Sequence, residues 1–323
     1  MRLLLSSMGA KLFCRTSIAF RYTVPMRIGM IGLGKMGGNM ATRLTRGGHQ
    51  VVGLDRSPIS PERAKETGTQ LAADLAGLVG QLPAPRVVWV MVPAGQPTQD
   101  TVDALGKLLS PGDLIIDGGN TRFTDDIARA EALKPSGIHY MDAGTSGGIW
   151  GLKVGYCLMV GGERSDFEHI EPILKTLAPP DGLLHCGPVG SGHFVKMVHN
   201  GIEYAMMQAY AEGFEIMQAS RYDLDLGAIA HLWNQGSVVR SWLLELTAAA
   251  LAQNPSLDGF APYVEDSGEG RWTVEESINT AVPAPLIALS LQMRFRSRQD
   301  NSFGARMLAA MRQQFGGHAV KAR

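Results

Sequence analysis

The sequence has few cysteines, no excess of either charge and no long apolar run. Cys14, Cys157 and Cys186 are an odd number among 323 residues and lack the spacing of a metal site. Such sparse cysteines are typical of a reducing compartment, and we interpret them as inert thiols. Lysine plus arginine number 30, as do aspartate plus glutamate, so no global charge favours nucleic acid or an anionic membrane. No apolar run is long enough to span a bilayer.

The first 25 residues differ in composition from the rest of the chain. They contain basic residues, serines and threonines but no acidic residue, as transit peptides do, and residues 3–5 are three leucines. A further methionine, Met26, stands directly before the first predicted strand. We therefore favour an upstream start codon assigned in error, exclude residues 1–25 from the fold, and expect a cytoplasmic protein.

A glycine-rich turn follows the first predicted strand, at residues 27–33. Its sequence is Gly32-Leu-Gly-Lys-Met-Gly37, and a helical pattern comes after it. Such glycines allow a tight turn and bring a pyrophosphate close to a helix N-terminus. Asp55 ends the next predicted strand about 20 residues further on, where a carboxylate can bind ribose hydroxyls. The predicted cofactor residues here are Gly32, Leu33, Gly34, Lys35, Met36, Gly37, Asp55, Arg56 and Ser57.

The carboxyl group of Asp55 also predicts which dinucleotide binds. A carboxylate at the ribose repels a 2′-phosphate, so NAD is favoured over NADP. Arg56 beside it could tolerate a phosphate, which keeps NADP possible but less favoured.

Further predicted strands at 87–92, 113–117 and 139–142 alternate with helical or Gly/Pro-marked connections. They indicate a Rossmann-like, doubly wound α/β sheet in a dinucleotide-binding domain over residues 26–190. Ligands of such sheets lie beyond the carboxyl ends of the strands. Each polar turn at these ends is by itself an ordinary turn. Three such turns lie at the ends of strands in one sheet, at 92–95, 117–121 and 144–148. Together they indicate a cleft lined by backbone amides, an amide side chain and a hydroxyl.

Residues 191–218 contain no proline and favour one long helix. Five polar side chains in it share one helical face, namely Lys196, His199, Asn200, Glu203 and Tyr204. Burying them together is costly unless they pair with one another or meet a polar ligand. The alternative is a solvated face with a charge pair. Apolar flanking residues and the upstream turns favour an active-site face.

The rest of the chain shows helical patterns and no strands. These patterns lie at 226–233, 238–253, 274–280, 285–297 and 303–315. We predict an all-α substrate and dimerisation domain over residues 191–323, with Ser267-Gly-Glu-Gly-Arg-Trp272 as a surface loop. Because an all-α half cannot easily close over a cleft alone, we expect a homo-oligomer, at least a dimer.

Four motifs together resemble a known enzyme family. They are Gly32-Leu-Gly-Lys-Met-Gly37, Asp117-Gly-Gly-Asn-Thr121, Ser146-Gly-Gly148 and Lys196-Met-Val-His-Asn-Gly-Ile-Glu-Tyr204. The set is similar to that of decarboxylating 6-phosphogluconate dehydrogenases, most of all their shorter, NAD-preferring branch. The resemblance covers residues 26–318. Lys-x-x-x-Asn and Ser-Gly-Gly are shared with other β-hydroxyacid dehydrogenases. The residues that distinguish the 6-phosphogluconate dehydrogenases from them are Asp117-Gly-Gly-Asn, His199 and Glu203.

The resemblance implies a role for each polar residue. Lys196 would be the general base that takes the proton of the C3 hydroxyl while a hydride passes to the nicotinamide, and its ammonium would then polarise the ketone as CO2 leaves. Glu203 would be the general acid that protonates C1 of the enediol. The substrate carboxylate and hydroxyls would be bound by Asn120, Ser146, Gly147, Gly148, His199 and Asn200. The cofactor would also contact Val92, Pro93, Ala94 and Asn120.

The resemblance also implies a set of ligands for the substrate phosphate. By the resemblance they are Tyr204, Arg294, Arg312 and His318, the last two contributed by the neighbouring subunit. Without the resemblance, these three cationic residues would have ordinary roles in a basic face and a C-terminal tail. Ser267 stands where the family has a lysine, so one cation is missing unless Arg271 turns in. For Arg240, a structural ion pair and a supporting cation remain open.

The predicted function is NAD-dependent oxidative decarboxylation of 6-phospho-D-gluconate to ribulose 5-phosphate. We predict no metal, because the sequence shows no cluster of histidines, cysteines or carboxylates with ligand spacing. The Lys196 ammonium would take the place of a metal electrophile. One alternative is a 3-hydroxyacid dehydrogenase acting on a small unphosphorylated substrate. Another is a catalytically silent dinucleotide sensor. We expect neither nucleic acid nor membrane as a partner.

Overall fold

The computed structural model describes residues 24–57, 59–317 and 319. Residues 1–23 of the predicted N-terminal extension and His318 therefore lie outside the described residues. In the described part, eight strands form one sheet in the order β3-β2-β1-β4-β5-β6-β7-β8. They are β1 (Arg27–Ile31), β2 (Gln50–Leu54), β3 (Gln70–Leu71), β4 (Val87–Val90), β5 (Leu114–Asp117), β6 (His139–Ser146), β7 (Cys157–Gly161) and β8 (Leu183–Gly187).

Helices connect the strands and form all the regular structure after β8 in the described residues. They are α1 (Lys35–Arg46), α2 (Pro61–Thr67), α3 (Leu75–Gly80), α4 (Gln96–Gly106), α5 (Phe123–Leu133), α6 (Gly151–Val154), α7 (Arg164–Leu177), α8 (Ser191–Gln218), α9 (Leu226–Trp233), α10 (Trp242–Gln253), α11 (Glu269–Asn279), α12 (Pro285–Ser297) and α13 (Phe303–Gly316). The predicted fold class, a Rossmann-like sheet followed by an all-helical part, is confirmed.

The strands are apolar on both sides because helices cover both faces of the sheet. In β4, Val87 and Trp89 belong to one buried core and Val88 and Val90 to the other. Side chains alternate between the two faces of a strand, so a continuous apolar run is what a doubly covered parallel sheet requires. The sheet is parallel from β3 to β6, and β7 runs antiparallel to β6. The sequence patterns did not single out β3, β7 or β8.

The predicted long helix is confirmed as α8, which joins the sheet to the helical part. Its N-terminus lies over β6 and β7 and its flanks contact α11 and α12. The second half of α8 contributes Phe214 to a small core with Ala230, Leu244 and Leu251. Among the described residues, no helix combines the length and apolar character that crossing a membrane demands.

Two helix starts differ from the sequence prediction. The predicted helix 238–253 begins only at Trp242, because the Ser241 hydroxyl accepts a hydrogen bond from the Leu244 amide and caps the helix there. The predicted surface loop at 267–272 is wrong, since α11 already begins at Glu269, and Glu269 and Gly270 are buried. Serine and glycine favour a loop locally, and the tertiary contact with α8 overrides that preference.

Candidate active site

A cleft of about 1710 Å³ lies between the carboxyl ends of the strands and helices α8 and α10. Most of the residues predicted for cofactor and substrate line it. They are Gly32, Gly34, Lys35, Met36, Gly37, Asp55, Arg56, Val92, Pro93, Ala94, Asn120, Ser146, Gly147, Gly148, Lys196, His199, Asn200 and Glu203. The helical part adds Trp242, Leu243 and Leu246 of α10, which the sequence analysis missed. Their apolar pattern gives no sign that they face a cleft rather than a core.

The remaining predicted cofactor residues act through their backbones. The Leu33 side chain is buried in the core, and its amide donates to Asp55 Oδ2 at 2.6 Å. The Ser57 amide donates to Asp55 Oδ1 at 2.8 Å. Both oxygens of Asp55 are thus held by the chain at the end of β2, and the carboxylate lines the cleft. A carboxylate fixed there fits the predicted contact with ribose hydroxyls.

The turn between β1 and α1 fits a dinucleotide pyrophosphate. A Cβ at Gly37 would lie 1.9 Å from the Gly32 carbonyl oxygen, so only glycine allows α1 to start this close to the strand. Among the described residues, no side chain caps the α1 N-terminus, and its first turn carries no acidic residue. Unpaired amides at a helix N-terminus attract anionic groups such as phosphates.

The turn that carries Asn120 is held from behind by Asp117. The buried Asp117 carboxylate accepts from the Gly119 amide at 2.9 Å and from the Thr121 hydroxyl at 2.7 Å. Arg129 and Tyr140 also donate to it, at 3.3 and 3.1 Å. Asp117 therefore positions the turn, and Asn120 faces the cleft. Sequence reasoning found the motif but not these supporting partners, which lie on α5 and β6.

On α8, four of the five predicted polar side chains meet in the cleft. Lys196 and Asn200 are each 8% exposed, and Lys196 Nζ donates to Asn200 Oδ1 at 2.5 Å. His199 Nδ1, when protonated, donates to the same oxygen at 2.9 Å. His199 Nδ1 also lies 3.9 Å from Glu203 Oε2, and Ser146 Oγ lies 3.5 Å from His199 Nε2. The amine and the Glu203 carboxyl thus face one space.

The environment of Lys196 favours the neutral amine that a general base requires. Burial lowers the pKa of Lys196 below its ordinary value, because an ammonium loses hydration in the protein. The negative charges of Glu269 and Glu203 partly oppose this lowering of the pKa. A lysine with a reduced pKa has a larger neutral fraction, which a general base requires.

Residues predicted for the substrate phosphate lie apart from the cleft lining. Tyr204 is buried between α8 and α11, where its hydroxyl accepts from the Ser267 amide at 2.9 Å. The Arg294 guanidinium stacks over the Tyr204 ring at 3.5 Å and donates to the Glu265 carbonyl. Arg312 is exposed on α13. His318 lies outside the described residues.

Two further arginines were left open by the sequence. Arg271 does not turn in toward the cleft, since its Nε donates to Asp266 Oδ2 at 2.6 Å and its guanidinium lies over the Phe295 ring. Arg240 is exposed and lies two residues before the start of α10.

The structure brings together three residues whose side chains could bind a metal ion. The sequence analysis had predicted no metal because it found no such cluster. Ligand atoms of Asp126, Asp142 and His193 lie within 4.8 Å of one another. Tertiary structure assembles them from α5, β6 and α8, so no sequence spacing could reveal them. Their atoms are used internally: His193 Nδ1 bonds Asp126 Oδ2 at 2.7 Å, and Asp142 accepts from the Gly190 and His193 amides at 2.6 and 2.7 Å.

This cluster anchors the start of α8. Burial lowers the pKa of His193, but the charge of Asp126 and its hydrogen bond outweigh burial and raise that pKa to about 9. Burial raises the pKa of Asp126 to about 6, although His193 opposes the rise. At neutral pH the two groups therefore form a buried ion pair between α5 and α8, one helical turn before Lys196.

Comparisons with known proteins agree with this geometry. Residues 27–190 match the family model described as the NAD binding domain of 6-phosphogluconate dehydrogenase. Residues 192–307 match the model described as the 6-phosphogluconate dehydrogenase C-terminal domain.

Two relatives match over nearly their whole length. The NAD(+)-dependent, decarboxylating 6-phosphogluconate dehydrogenase of Haloferax volcanii is 44% identical over 297 residues, 91% of this chain and 98% of its own. The Bacillus subtilis protein YqeC, provisionally named a 6-phosphogluconate dehydrogenase, is 45% identical over 300 residues, 92% of this chain and 99% of its own.

A solved structure is similar in fold and in sequence. It is the 6-phosphogluconate dehydrogenase of Plasmodium falciparum, studied in its apo form, with its cofactor NADP+ and with its substrate 6-phosphogluconate. It has a TM-score of 0.77 and 28% identity, and the match covers 92% of this chain and 66% of that one. The present chain thus spans about two thirds of the longer enzyme.

Proposed function

The chain belongs to the 6-phosphogluconate dehydrogenase family, whose members are oxidoreductases with an NAD-binding domain, and from this we propose its reaction. It converts 6-phospho-D-gluconate and NAD to ribulose 5-phosphate, CO2 and NADH. The observation that carries the proposal is that Lys196 and Glu203 line the same cleft as Gly32 and Asn120. Family membership also confirms the resemblance stated from the sequence.

We propose that residues 26–190 hold the cofactor and residues 191–323 complete the substrate site. NAD would lie on the turn from Gly32 to Gly37, next to Asp55, and when bound it supplies the acceptor for a hydride. The Asp55 carboxylate would bind the ribose hydroxyls and disfavour a 2′-phosphate, since both its oxygens are already held in place. This supports NAD as the preferred cofactor, with NADP less favoured.

Lys196 and Glu203 would move the protons. Neutral Lys196 Nζ accepts the proton of the C3 hydroxyl as the C3–H bond is oxidised, and the resulting ammonium donates a hydrogen bond to the new ketone oxygen. That contact stabilises the electron pair released when the bond between C2 and the carboxylate carbon breaks and CO2 leaves. Glu203 then donates a proton to the former C2, which becomes C1 of the product. Asn120, Ser146, Gly147, Gly148, His199 and Asn200 would orient the carboxylate and hydroxyls.

A second copy of the chain would complete the phosphate end of the site. We propose that Tyr204 and Arg294 bind the phosphate together with Arg312 and His318 of that copy. Every residue of α13 is at least partly exposed, and Phe303 and Leu308 on it are 67% and 61% exposed. Exposed apolar side chains of this size are typical of an interface, which supports a homo-oligomer, at least a dimer. The cytoplasmic location stays a prediction.

The test is a matrix of substrates and cofactors on purified protein. Wild-type protein is incubated with 6-phosphogluconate or gluconate and with NAD or NADP, while NADH or NADPH is followed and CO2 is trapped. We expect one CO2 for each NADH with 6-phosphogluconate. NADH without CO2 would instead favour the 3-hydroxyacid dehydrogenase, and no turnover with tight NAD binding would favour the sensor.

A further inference from the structure

Glu269 is a buried carboxylate beside the proposed base, and the proposed reaction does not use it. It is 2% exposed and is the first residue of α11. The next residue, Gly270, lets α11 approach α8, because a Cβ there would lie 2.5 Å from the Tyr204 ring. Buried carboxylates are costly unless they pair or accept hydrogen bonds, so the surroundings of Glu269 must hold its charge.

One oxygen of Glu269 determines how the Asn200 amide is oriented. Asn200 Nδ2 donates to Glu269 Oε1 at 2.8 Å. A carboxylate can only accept, so the amide must turn its NH2 group to Glu269. Its oxygen then faces the other way, where Lys196 Nζ donates to it at 2.5 Å. Glu269 thereby fixes, through Asn200, the place of the Lys196 amine.

The rest of Glu269 is held so that this orientation is rigid. The Ser267 hydroxyl donates to Glu269 Oε2 and lies 3.1 Å from the Tyr204 hydroxyl. The Thr273 hydroxyl donates to the Glu269 carbonyl at 2.7 Å and to the Met197 carbonyl at 2.9 Å. These bonds tie the first turn of α11 to α8. Ser267, at the position of the family lysine, serves this network.

The titratable groups that face Lys196 lie on three elements. Glu203 and His199 lie on α8, Cys157 lies on β7, and Glu269 lies on α11. Glu203 is 37% exposed in its side chain, whereas Glu269 is almost fully buried. A charge away from water is screened less, so Glu269 is the stronger partner of the two carboxylates.

We propose that Glu269 is a positioning residue for Lys196: it orients the Asn200 amide and supplies the buried negative charge that the amine faces. The inference rests on the proposed function only in naming Lys196 as the base. It predicts that removing the Glu269 charge destabilises the Lys196 ammonium and leaves the Asn200 amide without a fixed orientation. NAD binding should not change.

The decisive variant is Glu269→Gln, which keeps the shape and removes the charge. The first measurement uses no substrate: Lys196 is acylated with acetic anhydride over a pH series and quantified by mass spectrometry. Without the carboxylate the pKa of Lys196 falls further, so we expect the midpoint of acylation to move to lower pH by about one unit. The acidic limb of the pH profile of kcat/KM is expected to move in the same direction.

Activity separates positioning from a merely structural role. We expect Glu269→Gln to lower kcat by about 10- to 100-fold with the KM for NAD nearly unchanged, because a misplaced base slows chemistry rather than cofactor binding. Glu269→Asp keeps the charge but shortens the side chain by one methylene. Its acylation midpoint and its kcat are expected to lie between those of wild type and Glu269→Gln. Glu276→Gln, on the same helix but bonded to Asn279 at the surface, is the matched control and should change neither.

Clear outcomes would overturn the proposal. One is that Lys196 in Glu269→Gln is acylated with the same pH midpoint as in wild type. The other is that Glu269→Gln loses activity while neither this midpoint nor the acidic limb of the kcat/KM profile moves. Thermal unfolding and NAD binding check that the variants fold. Should Glu269→Gln not fold, an unchanged midpoint and kcat in Glu269→Asp would overturn it equally. If wild type fails to oxidise 6-phosphogluconate, the proposed function fails while the acylation series still tests Glu269.

Discussion

The two ends of the cleft are built in different ways. At the cofactor end, the turn from Gly32 to Gly37 and the amides that hold Asp55 directly follow two adjacent strands of one sheet. At the substrate end, Lys196 depends on Asn200 and on Glu269, which lies 69 residues along the chain from Asn200. One end consists mainly of backbone fixed by the sheet, and the other consists of side chains that distant helices bring together.

This difference shows where each end is vulnerable. Backbone amides in a parallel sheet keep their places when a side chain is changed, so the cofactor end should tolerate substitutions elsewhere. Buried charges at the substrate end are stable only while their partners remain, because an unpaired buried charge costs several kcal/mol, about 3–5. Changes at the substrate end should therefore alter catalysis while leaving NAD binding intact.

The largest expected effect is that of Lys196→Met. Removing the proposed base should reduce turnover by about 10³-fold or more, since the C3 hydroxyl then loses the group that accepts its proton. NAD binding, followed by titration calorimetry, should stay nearly unchanged. Lys134→Met, at a side chain 74% exposed, is the control. Unchanged activity in Lys196→Met would show that the substrate end of the cleft does not supply the base through Lys196.

A smaller effect is expected from Arg312→Ala on the exposed helix α13. If a second copy supplies this cation to the phosphate, the KM for 6-phosphogluconate should rise about 10- to 100-fold, as expected for a lost charged hydrogen bond. The KM for NAD should not change. Arg306→Ala on the same helix, whose guanidinium lies over Phe303, is the matched control. An unaltered KM for the phosphorylated substrate would contradict the role of α13.

The cofactor end is tested by Asp55→Asn. Removing its negative charge should improve kcat/KM for NADP relative to NAD by about 10-fold, equal to about 1.4 kcal/mol. The ratio of the two cofactors measures this directly, and Asp103→Asn on the surface of α4 is the control. A constant ratio would mean that the Asp55 carboxylate does not select the cofactor.

The smallest effect concerns the anchor of α8. The pKa of His193 is raised to about 9 in the folded protein, above its ordinary value of 6.5. Its stabilisation is therefore complete below pH 6.5 and is lost as the pH rises through about 9. Asp126, with a pKa of about 6, stays charged over most of this window.

Urea unfolding between pH 6.5 and 9 measures this effect. We expect the free energy of unfolding to fall with pH in wild type and to stay flatter in His193→Gln. His169→Gln, at an exposed position of α7, should behave as wild type. Equal slopes in wild type and His193→Gln would show that the ion pair with Asp126 does not stabilise the fold.

Features of the cleft that arise from neighbouring residues could be predicted from the sequence. The turn from Gly32 to Gly37 follows its strand directly, and helical spacing alone places Lys196, Asn200 and Glu203 on one face. The anchor of α8 could not be predicted in this way. Asp142 lies 51 residues before His193, and in the sequence it is merely the polar end of a strand.

The segment 267–272 shows most clearly why local reasoning fails there. A serine and two glycines favour a loop, and an acidic residue between glycines is usually solvated. In the fold, Gly270 allows a close approach of α11 to α8, which buries Glu269 against Asn200. Burial by another helix is absent from any local pattern.

The sequence by itself determined the succession of a Rossmann-like half and an all-helical half, the nucleotide turn and the polar face of α8, because these depend on residue types at short, regular spacings. Only the tertiary structure decided which carboxylates meet Lys196 and His193. Those pairings join elements far apart in the chain, and a charge acts through distance in space and through burial, neither of which sequence separation specifies.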